Sequence, residues 1–150
     1  MVRPDMPNIS PDQVRAEVKR FWNALVRKSK EDVEEMYFPA ATVFSSTVPR
    51  TEPARLTVTR RARQFFAPKS TMNVDIGAID VQLAGTLAIA SYSFSFQGTQ
   101  VKTDGSSVNH EIPAGRGTHV FQLDESGKLR ILHEHFSSGE IAKGENSVEI

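Results

Sequence analysis

The sequence predicts an α+β fold in which N-terminal helices pack on one antiparallel sheet. Three observations lead there. Helical periodicity is confined to the first half of the chain. Strand-length runs rich in β-branched and aromatic residues fill the second half. The length, 150 residues, suits a single domain with a full hydrophobic core. Helices followed by consecutive strands are the pattern of helices gathered on one face of an antiparallel sheet.

Each element has its own signal. Residues 1–9 read as a loose arm, as do residues 140–150. "SPDQVRAEVKRFWNALVRKSK" opens a helix: Ser10 is the N-cap, Pro11 takes the first helical position and Gln13 completes a capping-box spacing. Val14, Val18, Phe21, Trp22 and Leu25 form one apolar stripe. Ser29 caps a second, short helix, "KEDVEEMY", whose early acids suit the positive end of the helix dipole and which Pro39 ends. "ATVFSST" reads as a short strand. "EPARLTVTRRARQFFA" reads as a third helix between Pro53 and Pro68, with Leu56, Ala62, Phe65 and Phe66 on its apolar face. Arg60, Arg61 and Arg63 are expected on its solvated face. The strand runs are "TMNVDIGAIDVQLA", "TLAIASYSFSFQG", "GRGTHVFQLD" and "KLRILHEHFSS". Tyr92, Phe94 and Phe96 alternate with Ser91, Ser93 and Ser95, a period of two. The polar stretch "VKTDGSSVNHEIPA" is expected to be a loop, with His110 exposed in it.

Composition excludes several classes. Eighteen basic residues balance eighteen acidic ones, so there is no basic footprint for nucleic acid. No apolar run approaches the roughly 20 residues that span a bilayer. The opening "MVRPDMPNIS" has no apolar core of the kind a secretory signal needs, so a cytoplasmic location is expected. The absence of cysteine excludes disulfides, thiolate metal sites and cysteine nucleophiles.

The element order resembles the nuclear transport factor 2-like superfamily. "GRGTHVFQLDESGKLRILHEHFSS" is similar to the last hairpin of SnoaL-like proteins and of the calcium/calmodulin-dependent kinase II association domain. Thr118, Val120, the turn Gly127–Lys128, His133, His135 and Ser137 carry the likeness. "VEEMYFPAATVF" resembles that family's second helix and first strand. Where such families carry Trp after the turn, this chain has Leu129. The resemblance implies one SnoaL-like domain over residues 1–150, a cone whose curved sheet wraps the helices and leaves a pocket. The superfamily includes ketosteroid isomerase, scytalone dehydratase, polyketide cyclases, non-enzymatic binders and oligomerisation modules, so the fold does not decide function.

The site turns on "LRILHEHFSSG", where His133, Glu134 and His135 interrupt an apolar strand. A three-residue loop, Glu125-Ser126-Gly127, sets the register, with Gly127 left-handed. Asp124 then faces Lys128, Phe121 faces Ile131, His119 faces His133 and Gly117 faces His135. On the other face Val120 meets Leu132, Thr118 meets Glu134 and Arg116 meets Phe136. A bulge near His119 would alter this pairing. Three histidines on one face have the makings of a zinc site. A sheet face meeting water or a partner subunit is the simpler reading, and no metal or other cofactor is expected.

The resemblance to ketosteroid isomerase turns Leu132, Glu134 and Phe136 toward the pocket. The association domain's pocket arginines correspond to Ser93, His119 and Phe136, so its anion site is not reproduced. Glu134 is either a general acid/base with a pKa raised by desolvation, or half of an ion pair with Arg116 that holds structure or orients a ligand. Tyr37 is a candidate hydrogen-bond donor to a carbonyl, and Trp22 a candidate wall. The expected ligand-binding set is Trp22, Tyr37, Ser93, Arg116, Thr118, His119, Leu132, Glu134 and Phe136, with Glu134 the one candidate catalytic residue. The expected function is binding of a small, largely apolar molecule. The alternatives are an isomerase, dehydratase or cyclase working through Glu134, and an oligomerisation module. Apolar residues on both faces of the last strands point to a homodimer.

Overall fold

The computed structural model describes residues 8–46 and 48–138. The two expected loose arms lie almost wholly outside the described residues. The elements are α1 (Pro11–Val26), α2 (Lys30–Glu35), β1 (Tyr37–Ser45), β2 (Glu52–Pro53), α3 (Ala54–Phe65), β3 (Thr71–Ile76), β4 (Asp80–Ala84), β5 (Leu87–Val101), β6 (Ser107–Leu123) and β7 (Leu129–Ser138). Among the described residues, seven strands form one curved, open sheet in the order β2-β1-β7-β6-β5-β3, with β4 also on β5. The sheet is mixed, not purely antiparallel, because β1 and β7 run parallel. The result is an α+β cone with α1 and α3 against its inner face.

The start of α1 is as the sequence implies. Ser10 Oγ accepts from the Gln13 amide at 3.1 Å and Gln13 Oε1 accepts from the Ser10 amide at 2.8 Å. Together they satisfy two of the donors a helix start leaves open. Val14, Val18, Phe21, Trp22 and Leu25 are buried as one stripe. In α3 the buried stripe is Ala54, Thr57, Val58, Arg61 and Phe65. The expected face was misjudged there, since Leu56 is 50% exposed while Arg61 is turned inward at 3%.

Three boundaries differ from expectation. Helix α2 stops at Glu35, and β1 has already begun at Tyr37 and runs through Pro39. The β1–β7 ladder shifts register between Tyr37 and Thr42, so Pro39 falls where no ladder amide is required. The run from Thr71 to Ala84 is broken into β3 and β4, both paired with β5. The expected loop from Val101 to Ala114 is largely strand. A tight turn closed by Lys102 N–H donating to Ser106 O at 2.8 Å lets β5 and β6 extend as one long hairpin. Its far end is polar on both faces, which hides the strand period. His110 is therefore half-buried on β6, edge-on to Phe65, and not in a loop. No helix among the described residues is long and apolar enough to cross a membrane.

Candidate functional site

The β6–β7 hairpin builds the site. Its turn is the predicted one: Gly127 has φ of 82° and Asp124 N–H donates to Lys128 O at 2.8 Å. The ladder runs Leu123–Leu129, Gln122–Arg130, Phe121–Ile131, and then jumps to Val120–His133. Leu132 is the extra residue of a β-bulge. Past a bulge, the residues that face one another change partners. His119 now pairs with Glu134, Gly117 with Phe136 and Thr118 with His135. The bulge lies on β7, one residue before His133, and it breaks the unbulged register predicted above.

That single residue decides the composition of the interior. His119, Glu134 and Phe136 all point inward and are fully buried. His133 and His135 point outward, so the three-histidine face does not form. His133 Nδ1 instead lies 2.9 Å from Thr42 Oγ1, and the His135 ring stacks on Phe44. Among the described residues no three potential metal ligands cluster.

Inside the cone, one polar network is enclosed by aromatic rings. Tyr37 Oη donates to Glu134 Oε1 at 2.8 Å. Arg61 Nη2 donates to Glu134 Oε2 at 2.7 Å, and Arg61 Nη1 to Tyr37 Oη at 3.2 Å. Trp22 Nε1 donates to Tyr92 Oη at 2.7 Å, and Tyr92 Oη lies 2.7 Å from His119 Nε2. An indole can only donate, so Tyr92 Oη accepts from Trp22; the direction of its contact with His119 Nε2 follows from which ring nitrogen, Nε2 or Nδ1, carries the imidazole proton. That Nδ1 sits 3.3 Å from Glu134 Oε1, within Coulombic reach but outside hydrogen-bond geometry. The Arg61 guanidinium also lies 5.0 Å over the Phe136 ring.

Burial and charge set the protonation states. Desolvation works against the Arg61 charge, but Glu134 and Tyr37 outweigh it, and its pKa is raised above the usual arginine value. Desolvation pushes His119 down to about 4, partly opposed by the Glu134 charge, so the imidazole is neutral at pH 7. Burial, reinforced by Glu134, raises both Tyr37 and Tyr92 well above the ordinary phenol range. The interior therefore holds one cation and one anion, with every other polar group neutral.

Of the expected site residues, Trp22, Tyr37, His119, Glu134 and Phe136 converge. Ser93, Arg116 and Thr118 do not join them: they lie on the outer face, where Ser93 pairs with Arg116 across the ladder. Leu132 is half-buried at the bulge. The cation expected beside Glu134 was Arg116, and the structure supplies Arg61 instead. Sequence reasoning missed Arg61 and Tyr92. Both had a signal. Arg61 falls three residues after Val58 and four before Phe65, on the helical stripe, and Tyr92 alternates inward with a hydroxyl that needs a partner.

Beside this network lies an apolar cavity. Trp22, Leu25, Phe65, Met72, Phe96 and Phe136 line it, with Val26 and Val74 toward solvent and Arg61 at its edge, contributing no polar surface. The enclosed space is about 20 Å³, and with its open mouth the empty volume is about 370 Å³. Arg61 Nε is buried without a hydrogen-bond partner.

Comparison with known proteins gives a consistent fold. No family model and no curated protein matches the chain. Solved structures do. A nuclear transport factor 2-like protein from Cytophaga hutchinsonii superposes with a TM-score of 0.69 at 11% identity, covering 87% of this chain and 99% of its own. A ketosteroid isomerase-like protein from Erwinia carotovora gives 0.62 at 14% identity, covering 86% and 95%. The association domain of calcium/calmodulin-dependent kinase II from C. elegans gives 0.62 at 16% identity, covering 84% and 92%.

Proposed function

We propose that this chain, whose fold is nuclear transport factor 2-like, binds a small, largely apolar molecule in the cavity beside Arg61. The observation behind this reading is an apolar cavity walled by Trp22, Phe65, Phe96 and Phe136 and open to solvent beside Val26. The enclosed part, about 20 Å³, has room for little more than a water-sized group, so a ligand seats chiefly in the open mouth. The acid/base alternative fits less well. Both oxygens of Glu134 are already engaged by Tyr37 and Arg61, and the carboxylate does not line the cavity. The pair orients; it is not poised to exchange a proton with a ligand.

The test is thermal unfolding against a panel of small alicyclic and aromatic compounds, with the single tryptophan, Trp22, as a fluorescent reporter. At least one compound should raise the unfolding midpoint, change Trp22 emission and be recovered unchanged. The variant Val26→Phe, at the exposed mouth, should fold normally and lose both responses. A panel without any response, or a response indifferent to Val26→Phe, removes the binding reading.

A second copy of the chain is the partner this reading includes. Phe44, stacked on His135, and Ile89 are exposed on the outer sheet face. Ile89, Val120, His133 and Thr42 form one transverse row there, and Ser91, Thr118, His135 and Phe44 the next. An apolar-centred, polar-rimmed sheet face suits a two-fold contact. The homodimer is carried by that face, and the pocket by the other.

A further inference from the structure

We infer that Lys28 is a latch. Its ammonium ties the end of α1 to the end of α3 beside the apolar cavity, and the mouth of the cavity widens when that tie lets go. The inference rests on the binding reading above and adds what controls entry to the same site.

Helix α1 ends in two hydrogen bonds that wind the chain back on itself. Lys28 N–H donates to Leu25 O at 2.9 Å, and Ser29 N–H donates to Ala24 O at 3.0 Å. That pattern puts the residue after the C-cap, Arg27, in the left-handed region, where glycine is the usual occupant. Here the position holds Lys28, with φ of 61°, the one non-glycine among the described residues with a positive φ. A residue with a β-carbon is strained there and glycine is not. Ending the helix therefore does not call for a lysine.

The side chain accounts for its presence. Lys28 Nζ donates to Ala67 O at 2.9 Å and to Pro68 O at 3.1 Å. Both carbonyls follow directly on Phe66, the C-cap of α3, at the negative end of that helix's dipole. An ammonium suits this place, since its three donors on a flexible stem can take two carbonyls at once.

The tie stands at the cavity. Trp22, Leu25 and Val26 come from α1, Phe65 from α3, and Met72 and Val74 from β3. The two helices are seated on the sheet, α1 on β3, β4 and β5, and α3 on β1 and β5. The connection from α3 to β3 is pinned to the sheet at Ser70, whose Oγ accepts from the Val101 amide at 3.0 Å. Lys28 pins the other end of that connection to α1, two residues past Val26 on one side and two past Phe65 on the other. With both pins in place the enclosed space is about 20 Å³, too little for an organic molecule. Releasing Lys28 frees Ala67 and Pro68 from α1 and leaves the sheet and the Ser70 pin as they are. The closed latch holds a ligand at the mouth; the open latch admits it against Trp22 and Phe136.

Acrylamide quenching of Trp22 reads the latch without any ligand of the cavity. Trp22 is the single tryptophan, it lines the cavity and it is 3% exposed. Lys28→Gly relieves the backbone and cuts the tie. Its urea-denaturation midpoint should stay near that of the wild type, while the quenching constant rises about threefold or more, because a group reached through local opening gains access as the opening is favoured. Lys28→Asn, which also tolerates the left-handed position, should do the same. Lys28→Arg, which keeps a cation for the carbonyls, should quench as the wild type does. Quenching in Lys28→Gly and Lys28→Asn that matches the wild type overturns the latch. So does an equal rise in Lys28→Arg, or a rise that vanishes when the proteins are compared at equal global stability, since unfolding would then expose Trp22. Failure of both Lys28→Gly and Lys28→Asn to fold would make Lys28 a structural support and overturn it too. The compound panel reports separately: raised quenching in Lys28→Gly with no compound bound removes the binding reading alone.

Discussion

At the scale of single residues, His119 makes the interior sensitive to acid. Its imidazole is buried and neutral, with a pKa lowered by desolvation from about 6.5 to about 4. As pH falls, the unfolded chain takes up this proton first, near its ordinary value. The folded chain follows only near pH 4. Stability contributed by neutral burial is therefore complete above about pH 6.5 and lost on descending to about pH 4, an amount of about 3 kcal/mol. The variant His119→Gln keeps a polar side chain but cannot titrate. Its urea-denaturation stability should change less between those two pH values than that of the wild type. Parallel curves for the two proteins would show that His119 does not titrate differently on folding. The same residue shows where sequence reading stopped short. Its identity and the inward alternation of its strand were legible. Its contact with Glu134 was not, because both side chains are polar and neither one's position constrains the other until the ladder is known.

At the scale of elements, the bulge at Leu132 is the decisive feature. The helix starts, the turn at Gly127 and the alternation in β5 all follow local rules, and they were readable as such. A bulge has no local rule of comparable strength, since any residue can be the one left unpaired. One extra residue puts His119 and His133 on opposite faces, where the unbulged register put them on one, and it removes the case for a metal. Arg61 was hidden for a related reason: a charged residue on a helical stripe is normally read as a solvated neighbour, until its counter-ion arrives from another element. The ladder already skips Leu132, passing from Phe121–Ile131 to Val120–His133. Deleting Leu132 should therefore leave Glu134 on the inner face. The deletion variant should fold, with a stability loss of about 0.5–3 kcal/mol, and should retain the acid-dependent loss assigned to His119. A variant whose stability no longer depends on pH between 6.5 and 4 would show that the bulge, and not the ladder beyond it, holds Glu134 inside.

At the scale of the whole molecule, the two faces of the sheet divide the work. The inner face encloses a charge-neutral network and a small cavity. The outer face exposes Phe44 at 38% and Ile89 at 37% among serines, threonines and histidines. A second copy seated there would bury both. Phe44→Arg, at an exposed position, should leave the unfolding transition of the monomer intact and halve the particle mass measured by light scattering. A wild-type protein that already scatters as a monomer, or a variant that remains dimeric, would rule out this face as the contact. The overall architecture was the most legible level of all, because it depends on the order of periodic segments rather than on any one pairing. The parallel β1–β7 contact escaped that reading, since parallel neighbours are distant in sequence and leave no turn between them.

That contact also bears on how the chain is made. In the sheet order β2-β1-β7-β6-β5-β3, an interior position is held by β7, the last strand in sequence among the described residues. Arg61 leaves the ribosome 73 residues ahead of its counter-ion, Glu134. Until β7 emerges, β1 has no strand on that side, and the buried face of α3 presents a guanidinium without the carboxylate it meets at 2.7 Å in the finished fold. A nascent chain truncated before Leu129 thus holds an unmatched charge and an open sheet edge at once. Folding of the cone waits for β7 to emerge, and until then the unfinished chain exposes a sheet edge open to wrong pairing.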